Sequence, residues 1–369
     1  MKKVISTFVL LFLTASLVQA QVGITSVPFL QIEPDSRAAG MGNTGVAIAD
    51  NASAVFWNPA GLGFQRGSQI SITHSEWLPA FNADLFYDYL VGKHYVEDVG
   101  TFGAHITYLN LGEQQRTTIS NPTGEGLGRF NSYEFAVGLS FGHQINENWA
   151  IGTGIRYIYS SLFEGELGEE VVNPGSSFGV DVATLFKSDT FGFFQRDAHI
   201  NLGLNISNIG PGVHYTSNAQ KDPLPTVFRV GWAFTTELDE QGINTITIAN
   251  DISKIMARVD SNGDPMGAFD ALFSSWGSFQ RNTAAQTVTL SLAEQLMIAT
   301  GLEYWYNNLF ALRAGYYYED PYNGDRQYMT FGAGLRYKNF GIDFSYIYTL
   351  GDETHPLANT TRFGLLVNF

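Results

Sequence analysis

The feature that most limits the fold of this chain is a two-residue period of large apolar side chains, which runs from Gln69 to the last residue. Between 133 and 142, every odd-numbered residue is Tyr, Phe, Val or Leu, and every even-numbered residue is Glu, Ala, Gly or Ser. Successive side chains of a β-strand point to opposite faces of the sheet, so this period predicts strands. The chain is therefore predicted to be all-β.

The period recurs in an even number of segments, fourteen in all. They are 69–78, 84–95, 100–110, 131–144, 149–162, 176–187, 198–209, 226–238, 243–251, 296–306, 309–319, 327–337, 341–349 and 359–369. Links after even-numbered segments are compact, as at 145–148, and links after odd-numbered segments are longer, above all at 252–295. The link at 79–83 is an exception, because it is short where a long one is expected. Short turns at one end and long loops at the other are typical of outer-membrane barrels.

The apolar faces are rich in aromatic residues, and the opposite faces are mostly small, polar or singly charged. This pattern favours an outward, lipid-facing band over the core of a soluble β-sandwich, which is the alternative. We predict a 14-stranded antiparallel transmembrane β-barrel over residues 68–369. Five residues are expected to face lipid near mid-height: Phe135, Ile155, Leu204, Phe331 and Phe344.

Residues 1–20 have the pattern of a secretory signal peptide: Lys2 and Lys3, an apolar run, and a small-residue junction that ends at Ala20. The mature chain is then expected to begin at Gln21, and an amino-terminal membrane anchor is the alternative reading. The sequence has no cysteine, which excludes disulfides, thiol catalysis and a lipidated cysteine. Its net charge of −15 argues against nucleic acid as a partner. With Phe369 ending the last strand, these features predict the outer membrane of a Gram-negative cell.

The stretch 36–63 differs from all the strands, because it is rich in glycine and small residues and carries only Arg37 and Asp50 as charges. Such a run is a poor solvated linker, so something must enclose it. We predict that residues 21–67 form a hatch, or plug, inside the barrel. Its motif residues are Gly40, Met41, Gly42, Asn58, Pro59, Ala60 and Gly61.

An Asn-Pro-Ala-Gly run at 58–61 behind a glycine-rich segment and ahead of the strands resembles the FadL-like outer-membrane barrels. The wider context, with GMG at 40–42, ADNASAVFWNPAGL at 49–62 and EWLP at 76–79, is similar to the PorV/PorQ family of the type IX secretion system, and more to its PorV side. The resemblance implies an outer-membrane export component of Bacteroidetes-type bacteria that docks to a large translocon barrel. It also implies that the protein accepts cargo through the cargo's C-terminal domain and delivers it to cell-surface attachment proteins.

Charged residues also occur on the strand faces opposite the apolar rows, and we expect them to point into the lumen and to be paired or hydrated there. They are Glu134, Arg156, Asp181, Arg229, Glu303, Arg313, Arg336 and Asp343. We interpret them as anchors for the hatch, in preference to the walls of an aqueous channel.

Two short motifs and the histidines are the candidates for a catalytic or metal-binding site. A G-x-S-x-G pattern at 175–179 opens a strand without a following helix, so it is taken as a chance match and not as a hydrolase elbow. The acidic run 260–264 lacks the distal glutamate of a calcium loop and is read as a polar turn. The histidines form no HExxH or His-x-His pair. We therefore predict no enzyme activity, no metal site and no cofactor.

The 252–295 loop is too long to be structureless in a compact protein, and a short amphipathic helix is expected after Pro265. Its apolar face would comprise Met266, Phe269, Leu272, Phe273 and Trp276, with Asp270 and Ser274 on the other face. A self-packed lid and a partner-binding surface are the two interpretations, and we favour docking to the translocon. The alternative for the whole protein is a transporter of small hydrophobic molecules, which requires a deep apolar pocket.

Overall fold

The computed structural model describes residues 25–81, 83–118, 120–167, 170–216, 221–260, 264–282, 287–350 and 355–369. The predicted signal peptide and residues 21–24 lie outside these ranges. Fourteen antiparallel strands form one sheet. In chain order, β1 to β14 are Ser68–Glu76, Phe86–Val96, Gly100–Gln115, Arg129–Gln144, Trp149–Ser161, Gly175–Lys187, Arg196–Ile209, Val227–Glu237, Asn244–Ile255, Met297–Tyr306, Phe310–Tyr318, Gln327–Tyr337, Phe340–Thr349 and Thr361–Asn368.

The sheet closes on itself. The first and last strands pair with Ile70 opposite Val367, and β7 pairs with β8 with Gly203 opposite Gly231. Closure leaves no unpaired strand edge among these fourteen, as a sheet in lipid requires. The predicted antiparallel barrel of fourteen strands is confirmed.

Two strands extend four or five residues past their predicted ends. β3 continues to Gln115 through a register shift between Asn110 and Glu113, and β9 continues to Ile255. The long loop therefore begins four residues later than the predicted 252–295. These strand ends no longer alternate apolar with polar residues, because they no longer separate lipid from lumen, so the period alone could not reveal them.

The large apolar residues of the strands point outward. Ile155 and Phe331 are 55% and 45% exposed, and Phe135, Leu204 and Phe344 are half-exposed on the same outer surface. The residues between them are mostly buried. The direction of the alternation is thus as the sequence indicates, with the aromatic band outside.

Short elements lie in the loops and turns at the two ends of the barrel. Two hairpins, Gly165–Leu167 with Glu170–Val172 and Phe279–Asn282 with Thr287–Leu290, lie in long loops, and Phe191–Phe193 extends the ladder of β7 at the short-turn end. A further turn of 3-10 helix, Ala293–Gln295, precedes β10. No helix in the described ranges is long and apolar enough to cross a membrane.

Residues 25–67 contain no strand. They form the 3-10 turn Pro28–Gln31, helix α1 (Ser36–Ala39), helix α2 (Ala54–Trp57) and the 3-10 turn Pro59–Phe64. The segment runs from the long-loop end, where the Ser26 amide donates to the Pro223 carbonyl at 2.9 Å, to the start of β1 at the short-turn end. Nearly all of its side chains are buried against inward-facing barrel residues. That it acts as a hatch stays a prediction.

Candidate functional site: the barrel interior and its outer mouth

Two glycines of the predicted hatch motif lie where the backbone of the amino-terminal segment approaches the backbone of the barrel strands. Gly42 has φ of 67°, and its amide donates to Thr330 Oγ1 at 2.8 Å. Gly40 lies against Gly332, with 3.0 Å between a Cβ built on Gly40 and the Cα of Gly332. A Cβ on Gly315 would collide with the backbone of Met41 and Gly42. Glycines on both sides therefore allow this close approach.

The Asn-Pro-Ala-Gly run makes a capped turn. Asn58 Oδ1 accepts from the Ala60 amide at 3.1 Å, and Pro59 occupies the first helical position. Asn58 Nδ2 donates to the Val46 carbonyl at 2.9 Å and to the Thr184 carbonyl of β6 at 3.1 Å. A Cβ on Gly61 would collide with Ala49. The asparagine thus fixes both the turn and its contact with the barrel.

Four of the predicted lumen charges form one cluster. Arg313 donates to Glu303 at 2.7 Å and to Asp343 at 2.8 Å, and Arg336 donates to Asp343 at 2.7 Å. Arg37 of α1 completes the cluster, because it donates to Glu303 at 2.7 Å and also pairs with Asp50. The cluster joins the amino-terminal segment to β10, β11, β12 and β13.

The other four predicted charges lie farther along the wall. Arg156 pairs with Asp181, whose second oxygen accepts from the Asn208 amide at 2.8 Å. Glu134 accepts from Ser160 at 2.7 Å. Arg229 donates to Ser207 at 2.8 Å, and its guanidinium lies 5.6 Å from the centre of the Phe56 ring of α2. These four face the lumen without joining the cluster around Glu303.

Sequence reasoning missed two carboxylates that hold the amino-terminal segment. Asp251 of β9 accepts from the amides of Gly45 and Val46 at 2.7 and 2.9 Å. Asp35 caps α1 by accepting from the Ala38 amide at 3.1 Å, and it accepts from Trp57 Nε1 at 2.6 Å. The position of an acidic residue directly ahead of a helix could have revealed the cap. Asp251 alternates with Ile248 and Ile252, so it carries the same signal as the predicted lumen charges.

Burial and neighbouring charges act differently on the pKa values of Asp35, which caps α1, and Arg37, which lies in α1. Burial raises the pKa of the Asp35 carboxyl, although the hydrogen bonds from Trp57 and Ala38 favour its charged form. Burial lowers the pKa of Arg37, but the carboxylates of Asp50 and Glu303 outweigh this and hold it well above its usual range. Arg37 is therefore a permanent cation within the cluster.

An 820 Å³ cavity opens at the long-loop end, above the 3-10 turn Pro28–Gln31. Its apolar lining includes Phe29, Ile32, Leu109, Leu111, Ile347 and Leu357. The charged residues that also line it include Glu33, Glu319, Arg326 and Arg362. We call it the mouth cavity; its volume suits a small molecule or a few residues of a peptide.

The long outer loop contains the predicted helix, α3 (Ala268–Ser274). Phe269 and Phe273 are 71% and 82% exposed, whereas Ala271 is buried. The five predicted residues do not form one exposed face. Met266 and Leu272 are half-buried, and Trp276 packs edge-on against Phe228 of β8 with 5.2 Å between ring centres.

The G-x-S-x-G pattern at 175–179 and the acidic run 260–264 make local hydrogen bonds or strand-end contacts in the described residues. Ser177 Oγ donates to the Pro211 carbonyl at 2.6 Å, at the start of β6. The Asp264 amide donates to Asp260 Oδ1 at 3.0 Å, and residues 261–263 between them lie outside the described ranges.

Comparison with known proteins decides the family. The model of the type IX secretion system protein PorV matches residues 16–261, which is more than half of the chain. The chain belongs to the PorV family. This PorV-family protein is therefore an outer-membrane barrel of a Gram-negative bacterium and a component of the type IX secretion system. Among curated proteins, none matches this chain.

Solved structures agree on the fold. The toluene transporter TbuX of Ralstonia pickettii is similar with a TM-score of 0.52 and 13% identity, over 93% of this chain and 100% of that one. The toluene transporter TodX of Pseudomonas putida gives 0.48 and 12%, over 91% and 96% of the two chains. A FadL homologue of Pseudomonas aeruginosa gives 0.43 and 12%, over 90% and 95%. At these identities the solved structures show the barrel fold alone, and that inference rests on TbuX.

Proposed function

We propose that this PorV-family protein docks to the large translocon barrel of the type IX system through its long outer loop. It then accepts secreted cargo through the cargo's C-terminal domain and delivers it to the cell-surface attachment proteins. It catalyses no reaction itself. The family match supports the secretion role, and the exposed face of α3 supports the docking step.

The observation that carries the docking step is the exposure of Phe269 and Phe273. The two rings are four residues apart, so they project from the same face of α3. Ala271 is buried below the helix, and Trp276 rests on Phe228, so the helix is held against the barrel while the phenylalanines stay outside. Apolar side chains exposed in this way on a loop are typical of a protein-binding surface.

The test is a Phe269→Ala/Phe273→Ala double variant in cells that carry the secretion system. We expect the barrel to fold and reach the outer membrane, because neither ring contributes to the barrel wall. Co-purification of the large translocon barrel in mild detergent should fall at least about tenfold, since each anchor residue of an interface is worth about 1–2 kcal/mol or more.

The matched control is Phe194→Ala, which removes an equally exposed ring, 85% exposed, at the short-turn end of the barrel. It should leave co-purification unchanged. Full recovery of the translocon with the double variant, or equal loss with the control, would show that α3 is not the docking surface.

The mouth cavity favours a second candidate function, the transport of small hydrophobic molecules. It provides the deep apolar pocket that a transporter requires, although the segment 25–67 fills the lumen below it. Mass spectrometry of the protein purified without partners would decide this. A stoichiometric apolar compound and no translocon would support transport over docking.

A further inference from the structure

Arg362 of β14 is among the largest fully buried side chains of the protein, with 1% of its surface exposed. Its Nε and Nη1 atoms have no hydrogen-bond partner, and no carboxylate of a described residue lies within ion-pair distance. This separates it from Arg37, Arg156, Arg313 and Arg336, each of which is paired with a carboxylate. A buried guanidinium without a counter-charge is strongly unfavourable, so an anion is expected at this place when the protein works.

Two further buried donors without acceptors belong to residues next to Arg362 in the ladder or in the chain. Ser345 is the register partner of Arg362 on β13, and Thr360 is two residues from it along the chain. The hydroxyls of both are buried and have no partner. Because neighbours across a ladder share one face of a sheet, Arg362 and Ser345 lie side by side on the inner wall, and Thr360 directly precedes β14.

Arg362 lines the mouth cavity, whereas Ser345 and Thr360 are not among its lining residues. The cavity also contains the carboxylate of Glu33, which forms no ion pair or hydrogen bond with another described residue, although it lines a small second pocket together with Arg229. The expected ligand therefore has a negative group that pairs with Arg362 and a positive group that pairs with Glu33. The rest of it contacts the apolar walls of the cavity.

A peptide end fits this lining better than an acyl chain does. Besides Arg362, the walls carry Gln31, Glu33, Glu134 and Glu319, which are polar groups that a hydrocarbon chain would desolvate without a hydrogen bond in return. Glu134 already accepts from Ser160 and Glu319 from Arg326, so the oxygens of Gln31 and Glu33 are the ones left to accept from a peptide's amides or a lysine. A terminal carboxylate supplies the acceptor for Arg362.

The chain's own carboxyl end cannot fill the cavity. Phe369 exchanges two backbone hydrogen bonds of 3.0 Å with Ser68 at the start of β1, at the opposite end of the barrel. A terminal carboxylate in the cavity is therefore not that of Phe369.

We propose that the mouth cavity binds the carboxyl-terminal end of a partner polypeptide, with Arg362 holding the terminal carboxylate and Glu33 pairing with a nearby basic side chain. This rests on the proposed function, in which cargo is accepted through its C-terminal domain. It adds the site and the chemical groups that would recognise the end of that domain.

The test is fluorescence anisotropy on the purified full-length barrel in detergent. The probe is a fluorescein-labelled hexapeptide of leucine, valine and one lysine with a free carboxyl end. We expect saturable binding, and binding at least about tenfold weaker when the same peptide ends in an amide, because a charged hydrogen bond is lost. The Arg362→Met variant should bind the free-acid peptide about tenfold more weakly than the wild type does, and it should no longer prefer the free acid over the amide.

Arg362→Met also separates recognition from folding. Replacing an uncompensated buried charge by an apolar side chain is neutral or stabilising, so the variant should melt no lower than the wild type without peptide. Added peptide should raise the melting temperature of the wild type only. The matched control Arg129→Met removes an exposed arginine of β4 outside the cavity and should bind as the wild type does.

Equal binding of acid and amide peptides, or full binding by Arg362→Met, would overturn the proposal. So would the absence of peptide binding, or displacement by dodecanoate at far lower concentration than by unlabelled peptide, which would assign the cavity to an acyl chain. These outcomes are independent of docking, because they use the purified barrel alone and leave Phe269 and Phe273 unchanged.

Discussion

Arg37 of the amino-terminal segment donates from Nη2 to Oε1 of Glu303 on β10 at 2.7 Å, although the two residues are 266 positions apart in the chain. The Glu303 side chain is 1% exposed and also accepts from Arg313. One buried carboxylate thus holds both the wall and the segment inside it. Its removal should be felt in both.

A Glu303→Gln variant tests this cluster. The substitution leaves Arg37 and Arg313 short of a counter-charge, which we expect to cost about 3–5 kcal/mol of unfolding free energy. Denaturant unfolding followed by heat-dependent gel mobility measures it. The control Glu113→Gln breaks an exposed pair with Arg129 and should cost at most about 1 kcal/mol. Equal losses in the two variants would contradict a special role of the cluster.

A side chain at Gly152 should displace the amino-terminal segment. A Cβ there would collide with the backbone of Pro59 and Ala60, so Gly152→Val leaves no room for the turn. We expect the barrel to fold while trypsin cuts after Arg37, which is inaccessible in the wild type. Gly192→Val is the control, because a Cβ at Gly192 meets nothing within 4 Å. Protection of Arg37 in both variants would show that the segment tolerates the intrusion.

The outward face of the barrel can be tested at Ile155. Its side chain is 55% exposed between Leu139 and Val180 of the neighbouring strands. An arginine there should destabilise the barrel in lipid vesicles by about 2–4 kcal/mol, the cost of a charge near the bilayer midplane. Phe194→Arg, beyond the end of the strands, should change stability by less than about 0.5 kcal/mol. An unaffected Ile155→Arg barrel would place this residue outside the apolar band.

The contact between Trp276 and Phe228 should control the order of α3. Either Trp276→Ala or Phe228→Ala removes one side of the same edge-to-face pair, and we expect faster hydrogen exchange over Ala268–Ser274 with an unchanged barrel. The double variant should add little to either single one, since the contact is already lost. Additive effects would mean that the two rings support the helix separately.

The sequence by itself determined the number of strands, the direction of their faces and the short helix of the outer loop. These features follow from local periods in the sequence. The side of the sheet on which a residue lies can be assigned from its neighbours in the chain and from the difference in polarity between lipid and lumen. The charges from Glu134 to Asp343 were therefore assigned to the lumen without any knowledge of their partners. The glycines and the Asn-Pro run of the amino-terminal segment were also visible as backbone that must be enclosed.

Only the tertiary structure decided which groups meet. Arg37 reaches Glu303, Asp251 binds the Gly45 and Val46 amides, and Arg362 is left without a partner, because barrel closure and strand register bring together residues that are hundreds of positions apart. In the sequence, Arg362 and Arg336 look alike, since both alternate with apolar residues on a closing strand. Strand register places Asp343 two residues from the partner of each arginine, and the folded structure pairs it with Arg336 at 2.7 Å and with no atom of Arg362.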